Sequence, residues 1–213
     1  MRILLFDTET NGLPKNFNAS PYATNNWPII ISIAWQLYSI DNTGYRKLES
    51  GDSIVKPGDS VVWDEEAVKF HGITKERALA EGTPGSVVFP AFMKLASTAN
   101  VIVAHNISFD KSVLLAELIR LNPSMTMDWW PRFEYCTCNG TTALCKLPAK
   151  NPKPHDPYKK PRLVELWEFL FEKKADFEFH TAAADVECMV QCFKELVRRR
   201  LVPLDVWARS LHV

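Results

Sequence analysis

The spacing of apolar residues changes several times along the chain, and each change predicts an element. Ile3-Leu4-Leu5-Phe6 is continuously apolar and ends at Asp7, as a buried central strand would. Residues 14–28 (PKNFNASPYATNNWP) are rich in Pro, Asn and Ser and read as a long loop. From 29 to 40 the chain alternates, with Ile31, Ile33, Trp35 and Leu37 on one face and Ser32, Ala34 and Gln36 on the other, which predicts a strand. A third strand is expected between Tyr45 and Val55, after the turn Asp41-Asn42-Thr43-Gly44.

Helical signals follow. Asp64 and Thr74 are N-caps for two short helices, and Gly82 closes the second. A third helix is expected from Val87 to Ala96, a buried strand from Val101 to Ala104, and a last strand from Phe133 to Thr137. Phe109 to Leu121 is apolar almost all round, as a helix packed on a sheet would be. Leu163, Leu166, Trp167, Leu170 and Phe171 keep helical spacing, as do Val186, Met189, Val190, Phe193, Leu196 and Val197. Strands first and helices interleaved later give an α/β class with a mixed sheet. No repeat, low-complexity tract or flexible linker divides the chain, so residues 1–213 are expected to form one domain.

Composition narrows the class. At 46% hydrophobic and 23% charged, the chain is neither disordered nor a small disulfide scaffold. No apolar run approaches the ~18 residues needed to cross a bilayer, and Met1 to Phe6 is too short for a signal-peptide core. Five cysteines, an odd number, fit reduced thiols in the cytoplasm better than a disulfide framework. Cys136, Cys138 and Cys145 lack the paired spacing of common structural zinc sites. Lys plus Arg and Asp plus Glu number 25 each, so the chain is formally neutral. That argues against tight coating of a polyanion, but not against a phosphate-handling enzyme whose bound cations supply positive charge locally.

The candidate chemistry is acidic. Asp7 and Glu9, two apart at a strand end, leave on the same face and repel one another unless a cation joins them. Hard oxygen donors of this kind suit Mg²⁺ or Mn²⁺. Phosphatases with an aspartyl nucleophile also place an apolar strand before D-x-D, but here the second acid is Glu9, and no matching Lys-plus-acid arrangement lies downstream. Asp110 follows the Val101–Ala104 strand, and His180 and Asp185 stand in H-T-A-A-A-D. Taken alone, Asp110 fits a helix N-terminal acid stabilised by the macrodipole, and His180 a surface histidine beside a capping Thr181.

The ordered set is more specific than its parts. F-D-T-E-T-N-G-L-P (6–14), H-G-I-T (71–74), A-H-N-I-S-F-D (104–110), P-R-L-V-E-L (161–166) and H-T-A-A-A-D-V-E (180–187) span nearly the whole chain. In that order they resemble the DEDDh-type 3′–5′ exonucleases, the family of the proofreading subunit of bacterial DNA polymerase III and of ribonuclease T-like exonucleases. The resemblance implies a ribonuclease H-like fold with a central five-stranded mixed β-sheet flanked by α-helices, its second strand antiparallel to the others. It implies two Mg²⁺ or Mn²⁺ ions, with Asp7 shared between them, Glu9 and Asp185 holding one, and Asp110 the other. His180 would be general base for the attacking water, a task suited to imidazole near neutral pH. A tyrosine-type relative would carry Tyr four residues before Asp185, where this chain has Thr181.

By position, the backbone at Thr8 and Thr10 and the side chain of Leu13 resemble the family's cradle for the terminal nucleotide, and His105, Asn106 and Phe109 line the same cleft. Ordinary core packing accounts for Leu13 and Phe109 nearly as well. The implied partner is single-stranded or 3′-ended nucleic acid, DNA slightly ahead of RNA. Alternatives are an exoribonuclease of the same fold and a binding subunit with vestigial activity. A polymerase or repair partner and a homo-oligomer stay open; no membrane partner is expected. Lys150 to Arg162 (KNPKPHDPYKKPR) is too proline-rich for a helix interior and reads as an extended basic loop. It is either a solvated connector or a phosphate-backbone contact with Tyr158 available for stacking.

Overall fold

The structure is a computed structural model that describes residues 1–41, 43–58, 61–176 and 180–211. The first strand, β1 (Arg2–Thr10), is central because both its faces are apolar: Ile3, Leu4, Leu5 and Phe6 are all buried. It pairs antiparallel with β2 (Ile30–Asp41), which pairs antiparallel with β3 (Gly44–Lys56). Asn42 of the expected turn between them lies outside the described residues. Next come the short helices α1 (Glu65–His71) and α2 (Lys75–Glu81). Asp64 and Thr74 cap them as expected, accepting from the amides of Glu66 and Arg77.

β4 (Thr83–Pro84) is two residues long, joins β3 in parallel, and leads into α3 (Gly85–Ala96). β5 (Val101–Ala104) lies parallel to β1 and feeds α4 (Ile107–Leu121), and β6 (Phe133–Cys136) lies parallel to β5. The sheet order is β4-β3-β2-β1-β5-β6, with β2 antiparallel to all the rest. The strand directions match the expected ribonuclease H-like arrangement, with six strands instead of five because Thr83–Pro84 pairs with Val55–Lys56.

Two departures follow from residues whose local preference is overridden. Thr137 does not extend β6; it opens α5 (Thr137–Cys145), with the Cys136 sulfur accepting from the amide of Asn139 as cap. The basic segment is a hairpin of β7 (Pro148–Lys153) and β8 (Asp156–Tyr158), not a loop. It leads to α6 (Leu163–Phe171), then α7 (Ala182–Arg198) and α8 (Leu204–Ser210).

Helices cover both faces of the sheet. Odd residues of β1 (Ile3, Leu5) pack with Met189, Val190 and Phe193 of α7, and even ones (Leu4, Phe6) with Phe92 of α3 and Leu114 of α4. The polar face of β2 is covered too. Gln36 is buried, donates to Glu187 on α7 at 2.8 Å, and accepts from the Tyr38 hydroxyl at 2.7 Å. The long loop is fastened down: Arg120 of α4 donates to the carbonyls of Thr24 and Trp27, both at 2.6 Å, and Trp27 is buried. Among the described residues no helix is long and apolar enough to cross a membrane.

Candidate active site

The alternation that builds the core also builds the site. Asp7 and Glu9 continue the Ile3–Leu5 row toward α7, while Thr8 continues the Leu4–Phe6 row toward α4. On the α7 side, Thr181 caps the helix by accepting from the Ala184 amide at 3.2 Å. The small buried Ala182 lets the helix start settle close to the sheet. Asp185, in the first turn, then joins Asp7 and Glu9, and one ligand oxygen from each lies within 4.8 Å of the others.

Asp110 comes from the first turn of α4 on the other side of β1. It is only 3% exposed, and its Oδ1 accepts from the Thr8 amide at 3.2 Å and the Thr8 hydroxyl at 2.8 Å. It stands close enough to raise the pKa of Asp7 but outside the three-acid group. His180 has a left-handed backbone (φ 74°) just before α7, and its ring meets that of Phe70 edge-on at 5.8 Å between centroids. It shares a cavity of about 270 Å³ with Asp185, His105, Arg162, Leu163 and Val164.

Burial and mutual repulsion dominate the electrostatics. Burial first, then Asp110, Asp185 and Glu9, hold the Asp7 carboxyl well above the usual range. Burial and the same neighbouring acids push Glu9 up to about 7. Burial raises Asp185, opposed by the backbone and ring of His180, and raises Asp110 against the two Thr8 hydrogen bonds. Among the described residues no Lys or Arg forms an ion pair with any of the four. Asp185 Oδ1 is buried and, among the described residues, has no hydrogen-bond partner. Three converging carboxylates, one of them carrying an unpartnered buried oxygen, fit a divalent cation.

The profile of the RNase T exonuclease family matches residues 4–193. The chain belongs to this exonuclease family. No functionally curated protein sequence matches it. Among solved structures, Escherichia coli exonuclease I in complex with a dA16 oligonucleotide is similar at 20% identity and a TM-score of 0.66, covering 94% of this chain and 42% of that one. Its zinc-bound complex with single-stranded DNA gives 20% identity, a TM-score of 0.68 and the same coverage. Exonuclease I from Methylocaldum szegediense gives 17% identity, a TM-score of 0.67, and 93% and 40% coverage. The chain thus spans about two fifths of the length of these structures, and at such identities the likeness is one of fold.

In this exonuclease-family chain the residues expected to cradle substrate divide into two groups. Leu13 is 74% exposed, so it is not core; it borders a cavity of about 380 Å³ with Glu9, Gly12, Ala67 and Phe70. Gly12 (φ 152°) allows this approach, since a Cβ there would sit 3.3 Å from Asp64 Oδ2. Phe109 is half-buried and meets the Phe17 ring at 6.5 Å. Asn106, half-buried, turns the chain into α4 with φ 74°.

The side chains of the others are engaged within the protein. Thr8 is occupied with Asp110, and the Thr10 hydroxyl donates to the Gly12 carbonyl at 2.7 Å. Both ring nitrogens of His105 are engaged, Nδ1 with the Thr137 hydroxyl at 2.9 Å and Nε2 with the Pro161 carbonyl at 3.0 Å. A carbonyl only accepts, so Nε2 carries the proton; burial also drives the His105 pKa down to about 4. This histidine is held neutral as a brace. Sequence reading missed Phe70, 65% exposed beside His180. Its signal was a lone aromatic in a polar stretch directly before H-G-I-T.

Proposed function

We propose that this chain is a metal-dependent 3′–5′ exonuclease that releases nucleoside 5′-monophosphates from single-stranded nucleic acid, with DNA preferred over RNA. The observation that carries this reading is the convergence of Asp7, Glu9 and Asp185, with Asp185 Oδ1 buried and unpartnered, in a member of the exonuclease family. The preference for DNA is supported by the oligonucleotides bound to similar structures, dA16 and dT13 among them.

Asp7, Glu9 and Asp185 would hold one Mg²⁺ or Mn²⁺ ion, and Asp110, steadied by Thr8, would join Asp7 in holding a second. Such ions, when bound, offset the charge of the phosphodiester and of the departing 3′ oxygen and make water more acidic. The protein's own residues do the rest. His180, on the loop just before α7, takes the proton of the attacking water. Leu13 and Phe70, lining the apolar cavity beside Glu9, receive the terminal base. Asp110 and His105, both tied to backbone or hydroxyl groups, keep the floor of the site rigid.

The test is a 5′-labelled single-stranded DNA and its RNA counterpart incubated with Mg²⁺ or Mn²⁺ and run on a denaturing gel, with Asp185→Ala alongside. A ladder shortening from the 3′ end, faster on DNA and absent in the variant, is expected. Intact substrate in every lane overturns the reading.

A further inference from the structure

The basic hairpin is not used by the chemistry above, yet it carries a marked excess of positive charge. Between Lys146 and Arg162 the chain carries six Lys and Arg against one Asp, so the remainder of this formally neutral chain holds five more acids than bases. The acid cluster adds to that imbalance at the point where a polyanionic substrate must arrive.

We propose that the β7–β8 hairpin is an electrostatic arm that grips the phosphate backbone of a single strand whose 3′ end lies in the acid cluster; this rests on the exonuclease reading above. Three features carry it. The first is placement. The hairpin's carboxyl-terminal base is tied to the site by the bond from His105 Nε2 to the Pro161 carbonyl, and Arg162 lines the cavity that holds His180 and Asp185.

The second is the division of the charges. Lys159 and Arg162 are spent on Glu165, at 2.6 and 3.3 Å, which pins the base to α6. Lys146, Lys150, Lys153 and Lys160 are exposed and, among the described residues, form no ion pair. The third is stiffness. Pro148, Pro152, Pro154 and Pro157 fix backbone angles along the arm, and the ends are closed by the Lys159 amide donating to the Leu147 carbonyl at 2.9 Å. A pre-extended arm loses little entropy when it meets an extended strand. Tyr158 is half-buried at the base, so the arm works through its charges and not by base stacking. Six residues of β7 reach about 20 Å, farther than a dinucleotide held at the acids extends.

The experiment compares the full chain with its Lys150→Ala/Lys153→Ala and Lys150→Arg/Lys153→Arg forms on a long oligo(dT) and on a thymidine dinucleotide, across a range of salt. The alanine form is expected to raise KM on the long strand about tenfold with kcat unchanged. Its dependence of log KM on log salt should be shallower by about 1.4, ~0.7 per lost phosphate contact. The dinucleotide should be cleaved as by wild type, and the arginine form should behave as wild type throughout. An unchanged KM and salt slope on the long strand, or an equal loss on the dinucleotide, overturns the proposal. If the wild type cleaves nothing, the exonuclease reading fails on its own. The arm is then judged by fluorescence anisotropy of labelled oligo(dT): weaker binding by the alanine form supports it, and equal binding overturns it.

Discussion

The two faces of β1 at its carboxyl end hold their acids in opposite ways. Toward α7, Asp7, Glu9 and Asp185 converge within 4.8 Å, and Asp185 Oδ1 has no donor. Toward α4, Asp110 is buried more deeply, yet its Oδ1 accepts from both the amide and the hydroxyl of Thr8. The first arrangement stores repulsion that a cation or a bound proton relieves; in the second, one carboxylate oxygen is already satisfied by the protein itself. Three mutually repelling acids therefore gather on the α7 face, while the α4 face holds its single acid in a fixed position beside them.

The strongest way to break this comparison is Asp185→Asn. It should lower the rate of nucleic-acid cleavage by about a thousandfold or more, while raising stability without divalent ions by about 1 kcal/mol, because one of three repelling charges is gone. Loss of both activity and stability, read by gel assay and thermal melting, would contradict the stored-repulsion account.

A second effect concerns pH. The folded pKa of Glu9, about 7, lies above its value of 4.5 in the open chain, so the folded state binds the proton more tightly. The resulting stability is fully present below about pH 4.5 and is lost as pH rises through 7, an effect of ~2–3 kcal/mol for Glu9. Melts without divalent ions should therefore decline between pH 5 and 8, and Glu9→Gln should flatten that decline.

Thr8→Val sharpens the other side of the comparison. It removes the hydroxyl donor but keeps the amide, and should cost about 1.5 kcal/mol at pH 8, where Asp110 must be charged. The cost should shrink toward pH 5, and urea titrations at the two pH values measure it. The smallest effect is Thr181→Ala, which removes the cap of α7 and should lower stability by about 1 kcal/mol.

Much of the α7 face was legible in the sequence, because an apolar run ending in D-x-E and a helix opening on small residues each follow from local periodicity. So were the caps Asp64 and Thr74. The Thr8–Asp110 bond was not, since it joins residues 102 positions apart and depends on how α4 enters beside β1. Helix α5 was hidden by Gly140 and three threonines, poor helix formers that tertiary packing overrides. The hairpin was masked by its four prolines, which a two-stranded ribbon tolerates and a central strand does not. His105 borders the cavity of His180 and Asp185, but its motif could not show that both its nitrogens are engaged, which depends on where the fold brings Thr137 and Pro161.

The most direct test of the central claim is calorimetric titration of Mn²⁺ into the wild-type protein and into Asp185→Asn at neutral pH. The account predicts saturable binding to wild type with release of protons, since acids with raised pKa values must ionise to hold the cation, and strongly weakened binding to the variant. Absence of binding to the wild type, or equal binding to both proteins, would contradict it.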